Sequence, residues 1–308
     1  MLNDFICDLR GFLNLGLSWL RNLGRGRPVA PLSAEEVLAR GEPSLLDLAR
    51  LLEGRSAHGR LTTLEAFLAG AGLPIQRHVY AQAEEGAVNL AVDLGTGERL
   101  LILIAHHDAV PGSPGANDNA SSVAVLLALA RRLLRDPPSI RVRLLFTGSE
   151  EFSYYGARQY VKTADLRGLC GVLSLELCGI GDCPVIWDVV PPLDRTPFLE
   201  GASRALEGLG LRRGETFFVE GCVPLFGSDH RAFAALGLPA FGFTMVPRDQ
   251  EAALREFIFK PWRSALRMLL RRPVPFQTYH TAGDRSGDLQ PAAMERALEV
   301  MQGIVKSL

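Results

Sequence analysis

The stretch Leu100–Asp108, LLILIAHHD, decides the fold of this chain. Its first six residues are all apolar, which is the composition of a β-strand covered on both faces of a sheet. Two histidines and an aspartate follow at once, where the strand is expected to end. Period-2 alternation places the side chains of His106 and Asp108 on one side of the chain and that of His107 on the other. The stretch therefore predicts a buried strand that carries a histidine and a carboxylate to one edge of a sheet.

The pattern on both sides of this stretch alternates between strand and helix. Apolar periodicity and turn residues predict strands at 87–94, 99–105, 141–147, 171–177, 184–189, 215–220 and 239–245. The same signals predict helices at 44–53, 62–70, 119–135, 153–163, 196–208, 229–236, 250–271 and 291–306, and a capping box at 33–36 opens another. Such alternation is typical of a largely parallel, mixed sheet with helices on both faces. We expect an α/β fold with a single catalytic domain over residues 30–308.

Further carboxylates and a second histidine stand where other elements are predicted to end. They are Asp118 within GANDN at 115–119, the pair Glu150 and Glu151, Glu176 and His280. In sheets of this kind, ligands bind beyond the carboxyl ends of the strands. Zinc is bound by imidazole and carboxylate, and two ions that share a bridging carboxylate need about five such ligands plus a spare carboxylate to move protons. This inventory predicts a co-catalytic zinc hydrolase.

Each of these residues also has an explanation without a metal. Asp118 precedes a long helix and could be an ordinary N-cap. Glu150 and Glu151 could form a solvated helix start, where acidic side chains are favourable. Glu176 could point to solvent, and His280 could be a structural histidine. The cluster Ser228-Asp229-His230 cannot form a nucleophile triad, because adjacent residues do not reach relay geometry, and it predicts a hydrogen-bonded wall of the site.

Taken together, the clusters resemble the co-catalytic zinc aminopeptidases, the family that includes bacterial leucyl aminopeptidases, glutamate carboxypeptidase II and the glutaminyl cyclases. The resemblance runs from about Leu61 to the C-terminus. It rests on His-x-Asp, Gly-Ala-x-Asp-Asn, Glu-Glu, a carboxylate after a leucine-rich strand, Ser-Asp-His and Tyr-His-Thr, in the family order. Each motif alone is common, and their joint occurrence is specific.

The resemblance implies a role for each residue. Two zinc ions are expected per chain, one held by His106 and Glu176 and the other by Glu151 and His280, with Asp118 bridging them. Glu150 would be the general base, and Asp108 would orient a metal-bound histidine. The implied activity is an aminopeptidase that hydrolyses the N-terminal residue of peptides with a free N-terminus.

Three features bear on that activity. The family usually has aspartate where Glu176 stands, and residues 222–227, CVPLFG, lack the tyrosine that some aminopeptidases use to stabilise an oxyanion. Glutaminyl cyclases usually carry tryptophan where Tyr279 stands, which favours the peptidase over a glutaminyl-peptide cyclotransferase. A non-catalytic receptor or scaffold is a third alternative, although all the ligand positions carry competent groups.

Six arginines suit acidic substrates or a solvated helix face equally well: Arg248, Arg255, Arg263, Arg267, Arg271 and Arg272.

Composition restricts the possible partners. The 308-residue chain has a net charge of −1, which gives no overall field that would attract nucleic acid, so no nucleic-acid partner is expected. Its five cysteines are an odd number without the spacing of a zinc site. They indicate reduced thiols in a cytoplasmic protein, although a bridge between Cys178 and Cys183 stays open.

Residues 1–29 are predicted to form an extension before the catalytic domain. Apolar residues recur there at helical spacing, at positions 2, 5, 6, 9, 12, 13, 20 and 23, which predicts an amphipathic helix. The stretch has the pattern of neither a secretory signal nor a transmembrane helix. We expect the helix to dock on the body or on another subunit. Because Arg21, Arg25 and Arg27 follow, contact of residues 1–27 with a membrane surface is the alternative.

Overall fold

A computed structural model describes residues 2–25, 29–81, 87–224, 226–260 and 272–308. Its sheet has eight strands in the described residues: β1 Ile75–Val79, β2 Val88–Leu94, β3 Leu100–His106, β4 Arg141–Thr147, β5 Leu169–Glu176, β6 Cys183–Trp187, β7 Phe218–Val219 and β8 Ala240–Val246. They are arranged in the order β1-β2-β4-β3-β5-β8-β6-β7. The four strands β4, β3, β5 and β8 are parallel neighbours, and antiparallel pairs stand on both sides of them. The predicted mixed, largely parallel sheet is confirmed.

The helices of the described residues are α1 Leu2–Asn22, α2 Ala34–Leu38, α3 Leu45–Ala49, α4 Ala57–Gly70, α5 Ser121–Arg135, α6 Tyr155–Tyr160, α7 Pro197–Gly208, α8 His230–Ala234, α9 Glu251–Phe259 and α10 Pro291–Ser307. Leu101, Leu103 and Ala105 of β3 pack into the cluster formed by α3, α4, α5, α7 and α10. Leu100, Ile102 and Ile104 pack on the opposite face with α6 and α8. All seven residues of β3 are buried because the strand is covered on both faces, as the apolar run predicts.

Several elements differ from the sequence expectation. The strand β1 was not predicted, since IQRHV is mostly polar and pairs at an edge of the sheet. β2 and β3 are consecutive in the chain, yet β4 lies between them and pairs with both. The strand expected at 215–220 is reduced to two residues. The helix expected over 250–271 is described as α9, and residues 261–271 lie outside the described residues.

The helix α1 contacts the body of the protein, as expected, mostly through polar side chains, and Phe12 packs edge-on against Phe152 at a ring-centroid distance of 4.8 Å. Asp8 pairs with Arg158 at 2.6 Å, and Asn22 donates to the carbonyl oxygens of Pro111 and His280 at 3.0 and 3.2 Å. Nine large apolar side chains on α1 and just after it are instead between 51% and 68% exposed: Phe5, Ile6, Leu9, Phe12, Leu13, Leu17, Trp19, Leu20 and Leu23. The expected docking on the body is therefore made mostly by polar groups, and docking of the apolar stripe on another subunit stays a prediction. None of the described helices is long and apolar enough to cross a membrane.

Candidate metal centre

The ends of three neighbouring strands bring the predicted residues to one edge of the sheet. His106 is the last residue of β3, Glu150 and Glu151 follow β4, and Glu176 is the last residue of β5. Because β4, β3 and β5 are adjacent and parallel, their carboxyl ends meet. Asp118 reaches the same place from the turn before α5.

The carboxylate of Asp118 lies between two imidazoles. Its Oδ1 is 3.2 Å from Nε2 of His106, and its Oδ2 is 3.3 Å from Nε2 of His280. On the His106 side, Glu176 Oε2 lies 3.4 Å from His106 Nε2. On the His280 side, Glu151 Oε2 lies 2.9 Å from His280 Nε2. The five residues therefore form two groups that share one carboxylate.

Glu150 faces this arrangement from slightly farther away. Its Oε2 is 3.9 Å from Nε2 of His106. The carboxylate of Asp108 accepts hydrogen bonds from the backbone N–H groups of Glu150 and Glu151, both at 3.1 Å. Asp108 Oδ1 is also 3.4 Å from Nδ1 of His106, whereas His107 points away and contacts the carbonyl oxygen of Val88 at 3.0 Å. Asp108 thus holds three residues of the site in place.

The turn that presents Asp118 is not a helix cap. The N-cap position of α5 is Ala120, without a side-chain cap, and Asp118 has extended dihedrals (φ −111°, ψ 87°). The backbone N–H groups of Asn117 and Asp118 donate to the carboxylate of Asp284 at 2.7 and 3.0 Å. Gly115 begins the turn at φ +63°, and a Cβ there would meet Arg60 Nη2 at 2.3 Å. Asp118 is therefore free to turn its carboxylate towards the histidines.

Two residues without a recognisable sequence motif support this turn from outside it. Arg60 is fully buried in α4 and donates to the carbonyl oxygens of Pro114 (2.5 Å), Gly115 (3.1 Å) and His107 (3.3 Å). Asp284 anchors the turn from the other side. No sequence signal identifies them, because a single arginine and a single aspartate have no motif.

The Ser-Asp-His cluster splits between two roles. Ser228 Oγ donates a short hydrogen bond to Glu176 Oε1. His230 points away from the centre, with Nε2 2.9 Å from Asp188 Oδ2, and Arg231 Nε reaches the same oxygen at 2.6 Å. These partners lower the pKa of Asp188 to about 2 although burial opposes the shift. The serine lines the site, as predicted. The histidine contacts a separate ion pair between Asp188 and Arg231, and burial lowers the pKa of its own imidazole.

The helix α1 also reaches the centre. Asn14 Nδ2 donates to the carbonyl oxygen of Glu151 at 3.0 Å and to its Oε2 at 3.2 Å. Asn22, at the end of the helix, contacts the backbone of His280 and accepts from the N–H of Ala282 at 2.9 Å. The N-terminal segment therefore contributes to the surroundings of two site residues.

Like charges crowd the centre. Burial raises the pKa of Glu150 well above its usual value, and the carboxylates of Glu176 and Glu151 add to this while His106 opposes it. Burial disfavours a charged imidazole, yet Glu176 and the two aspartates near it raise the pKa of His106, and Glu151 with Asp118 raises that of His280 to about 10. Without a cation, these buried carboxyl and imidazole groups tend to stay protonated. A divalent ion would relieve the same repulsion.

Two observations test whether a metal fits these residues. Oε1 of Glu151 and Nε2 of His280 are buried and have no hydrogen-bond partner of acceptable geometry among the described residues. Ligand atoms of His106, Asp118 and Glu151 lie within 4.8 Å of one another. Imidazole and carboxylate together are a donor set that suits zinc. The residues fit a metal centre.

Two cavities open onto this centre. One, of about 120 Å³, is lined by His106, Glu150 and Glu176 and by a mainly apolar wall, which includes Leu177, Trp187, Val223, Phe226, Val246 and Leu254. The other, of about 550 Å³, lies between α1 and the residues Glu150, Glu151 and His280. Residues from the stretches 190–227 and 246–276 contribute to the walls of both cavities.

Comparison with known proteins gives one family match. The profile of Peptidase family M28 matches residues 89–305, well over half of the chain. Aminopeptidase YwaD of Bacillus subtilis is 42% identical over 62 residues, which are 20% of this chain and 14% of that protein. The probable lipoprotein aminopeptidase LpqL of Mycobacterium tuberculosis is 40% identical over 97 residues, 31% of this chain and 18% of that protein. The matched segments span less than a fifth of these two relatives.

Solved structures share the fold. The zinc aminopeptidase BSAP from Bacillus subtilis superposes with a TM-score of 0.55 at 21% identity, over 71% of this chain and 49% of that one. A glutaminyl cyclase from Bacteroides thetaiotaomicron superposes with a TM-score of 0.61 at 15% identity, over 91% of this chain and 99% of that one. At these identities the likeness establishes the architecture alone.

Proposed function

Because the chain belongs to Peptidase family M28, we propose that it is a zinc-dependent aminopeptidase that removes N-terminal residues from peptides. The observation that carries the proposal is the carboxylate of Asp118, with one oxygen towards His106 and the other towards His280. A carboxylate placed in this way can bridge two cations. The aminopeptidases among the relatives support the choice of reaction.

We assign the ligands from the two groups. His106 and Glu176 would hold one zinc ion, Glu151 and His280 would hold the other, and Asp118 would contact both. The longer side chain of Glu176 still reaches His106, so the expected aspartate is not needed for contact. Zinc bound here would supply Lewis acidity towards the scissile carbonyl and would acidify the attacking water.

Glu150 is the residue that we assign as general base. It lies beside the centre without belonging to either ligand group, and burial raises its pKa. A carboxylate with a raised pKa is a stronger base towards water, and a pKa nearer the operating pH lets the same group later deliver the proton to the leaving amine. Asp108 would hold the general base in position relative to the metal ligand, because it contacts both the backbone N–H of Glu150 and the imidazole of His106.

The smaller cavity suggests which residue the enzyme removes. It adjoins His106, Glu150 and Glu176, and the rest of its wall is mainly apolar. An apolar N-terminal side chain, such as leucine or phenylalanine, would be buried there favourably. We expect faster hydrolysis of leucine than of aspartate at the N-terminus.

Hydrolysis of leucine p-nitroanilide in the presence of zinc or cobalt tests the proposal. The variant Glu150→Gln should retain bound metal and lose roughly 10²–10⁴-fold in kcat, the usual contribution of a general base. Glu295→Gln, on the exposed side of α10, is the matched control and should leave kcat unchanged. Folded protein that is inactive with both metals would refute the aminopeptidase assignment.

Two alternatives are tested with the same material. A glutaminyl-peptide cyclotransferase would release ammonia from a peptide that begins with glutamine, which mass spectrometry detects. A non-catalytic receptor or scaffold would bind less than one equivalent of zinc after supplementation. The proximity of both ligand groups and the base favours an enzyme over a scaffold. Tyr279, where glutaminyl cyclases usually carry tryptophan, favours the peptidase over the cyclase.

We also propose that α1 contacts a membrane surface. Its nine exposed apolar side chains cover roughly 160° of the helix at 3.6 residues per turn, a face wide enough for a flat lipid surface. The exposed Arg25 follows this face, and Arg27 lies outside the described residues. All five cysteines are free, so the structure contains no bridge between Cys178 and Cys183.

A further inference from the structure

The larger cavity beside the metal centre, which we call the cationic cleft, has a lining that the aminopeptidase reaction does not explain. Three arginines line it: Arg10 and Arg21 of α1, and Arg272. The same cavity is lined by Glu150, Glu151 and His280, so it opens onto the proposed reaction site. It shares Glu150, Phe226, Gly227, Phe276 and Tyr279 with the smaller apolar cavity, so the two cavities meet there.

Two of the guanidinium groups repel each other. Burial lowers the pKa of Arg272 to about 10, and the charge of Arg21 adds to the shift. Burial and Arg25 lower the pKa of Arg21. Arg272 Nη1 donates a hydrogen bond to the backbone oxygen of Tyr279 at 3.0 Å, which places its guanidinium beside the residue that precedes His280. Neighbouring like charges in a partly buried cavity favour the binding of an anion.

The two cavities set the direction of a bound peptide. The apolar cavity takes the side chain of the first residue beside His106 and Glu176. The peptide bond to be cut then lies next to Glu150, and the rest of the chain continues on the side of Glu151 and His280, into the cationic cleft. A cleft of about 550 Å³ is within the range that encloses a drug-sized ligand, roughly 300–1,000 Å³. Such a volume suits one or two further residues.

We propose that the cationic cleft binds the C-terminal carboxylate of short peptides through Arg21, Arg10 and Arg272, so that the enzyme prefers dipeptides and tripeptides with a free C-terminus. This inference rests on the proposed function. Guanidinium groups match carboxylates by paired, charge-assisted hydrogen bonds. Arg10 and Arg21 lie outside the segment 89–305 that the family profile matches.

The test compares Leu-Gly-Gly with its C-terminal amide. The free acid should have a KM at least about 10-fold lower than the amide, the usual effect of one charge-assisted hydrogen bond. Arg21→Gln should remove most of this difference by raising the KM of the free acid alone, and Arg21→Lys should restore part of it. Arg25→Gln is the matched control, since Arg25 is exposed just after the same helix and does not line the cleft.

Binding measurements separate this inference from the proposed function. Calorimetric titration of the Glu150→Gln variant measures its affinity for each of the two peptides without hydrolysis, so the difference in affinity reports the contribution of the C-terminal carboxylate. Glu150→Gln should bind the free acid more tightly than the amide, and the double variant Glu150→Gln, Arg21→Gln should lose this difference. That result supports the carboxylate contact even if the enzyme is not an aminopeptidase. Equal affinity and equal KM for acid and amide in the wild type would overturn it. So would an unchanged acid preference after replacement of Arg10, Arg21 and Arg272 by glutamine in a variant with wild-type thermal stability.

Discussion

Replacement of Arg60 by methionine should destabilise the protein and weaken metal binding together. Arg60 is completely buried, and its Nη2 donates to the carbonyl oxygens of Pro114 and Gly115 at 2.5 and 3.1 Å. A longer contact, 3.3 Å, joins Nη1 to the carbonyl of His107. Methionine fills much of the same volume but donates no hydrogen bond, so these oxygens lose their buried donor.

The magnitude follows from the two shorter contacts. Hydrogen bonds to a charged group contribute about 1.5–3 kcal/mol each, which gives about 3–6 kcal/mol for the pair. Burial of the charged guanidinium costs free energy and lowers the pKa of Arg60. Methionine has no charge to desolvate, so the variant avoids this cost. We therefore expect a loss of stability near the lower end, about 3 kcal/mol. A loss of about 3 kcal/mol is a large part of the stability of a domain, about 5–15 kcal/mol.

Urea unfolding of metal-free protein, followed by circular dichroism, measures the loss, and competition with a chelator measures zinc affinity. The affinity should fall by about 10–100-fold, the usual effect of losing a group that supports metal ligands, because the supported turn carries Asp118. Arg167→Met, an exposed arginine paired with Asp165, is the control and should leave both values unchanged. If Arg60→Met costs less than about 1 kcal/mol and binds zinc normally, the argument that buried donors hold this turn is wrong.

Three other outcomes are expected. Asn14→Leu removes the donor to the Glu151 carboxylate and should lower zinc affinity by about 10–100-fold, and unchanged affinity would show that α1 does not support the centre. Wild-type protein should sediment with vesicles that contain phosphatidylserine, whereas Leu9→Glu combined with Leu20→Glu, two exposed residues outside the cleft, should stay in solution at an unchanged melting temperature. Equal sedimentation of both proteins would rule out this surface. The pKa of Asp188 is lowered to about 2, below the value of about 3.9 for an unfolded chain, so its stabilising effect is complete above about pH 4 and is lost as the pH falls towards 2. Asp188→Asn should flatten the stability curve over that range, and an unchanged slope would contradict the ion-pair assignment.

Much of the fold follows from local patterns. The apolar run before His106 indicates a strand covered on both sides, and the alternation of strand and helix indicates a parallel sheet. Polar residues at successive strand ends must then meet at one edge, so the neighbourhood of His106, Glu150 and Glu176 could be expected before any coordinates. These inferences depend on periodicity and chain order, which the sequence contains directly.

Other features depend on contacts between distant segments. Arg60 lies 54 and 55 residues from its partners in the Asp118 turn, and Asp284 lies more than 160 residues from its own. Neither residue has a local signature. The helix α1 shows why a pattern is insufficient. Its amphipathic period identifies two faces, but the hydrogen bonds of Asn14 and Asn22 determine which face meets the body.

By itself, the sequence determined the type and order of the elements and the chemical groups available at the edge of the sheet. Backbone preference and apolar periodicity are properties of neighbouring residues, so they can be read along the chain. The tertiary structure alone decided which groups share the Asp118 carboxylate, which buried donors hold its turn, and that arginines of α1 face the reaction site. Those relations depend on distances across the folded protein, and residues far apart in the chain acquire such distances only when the sheet and its helices pack.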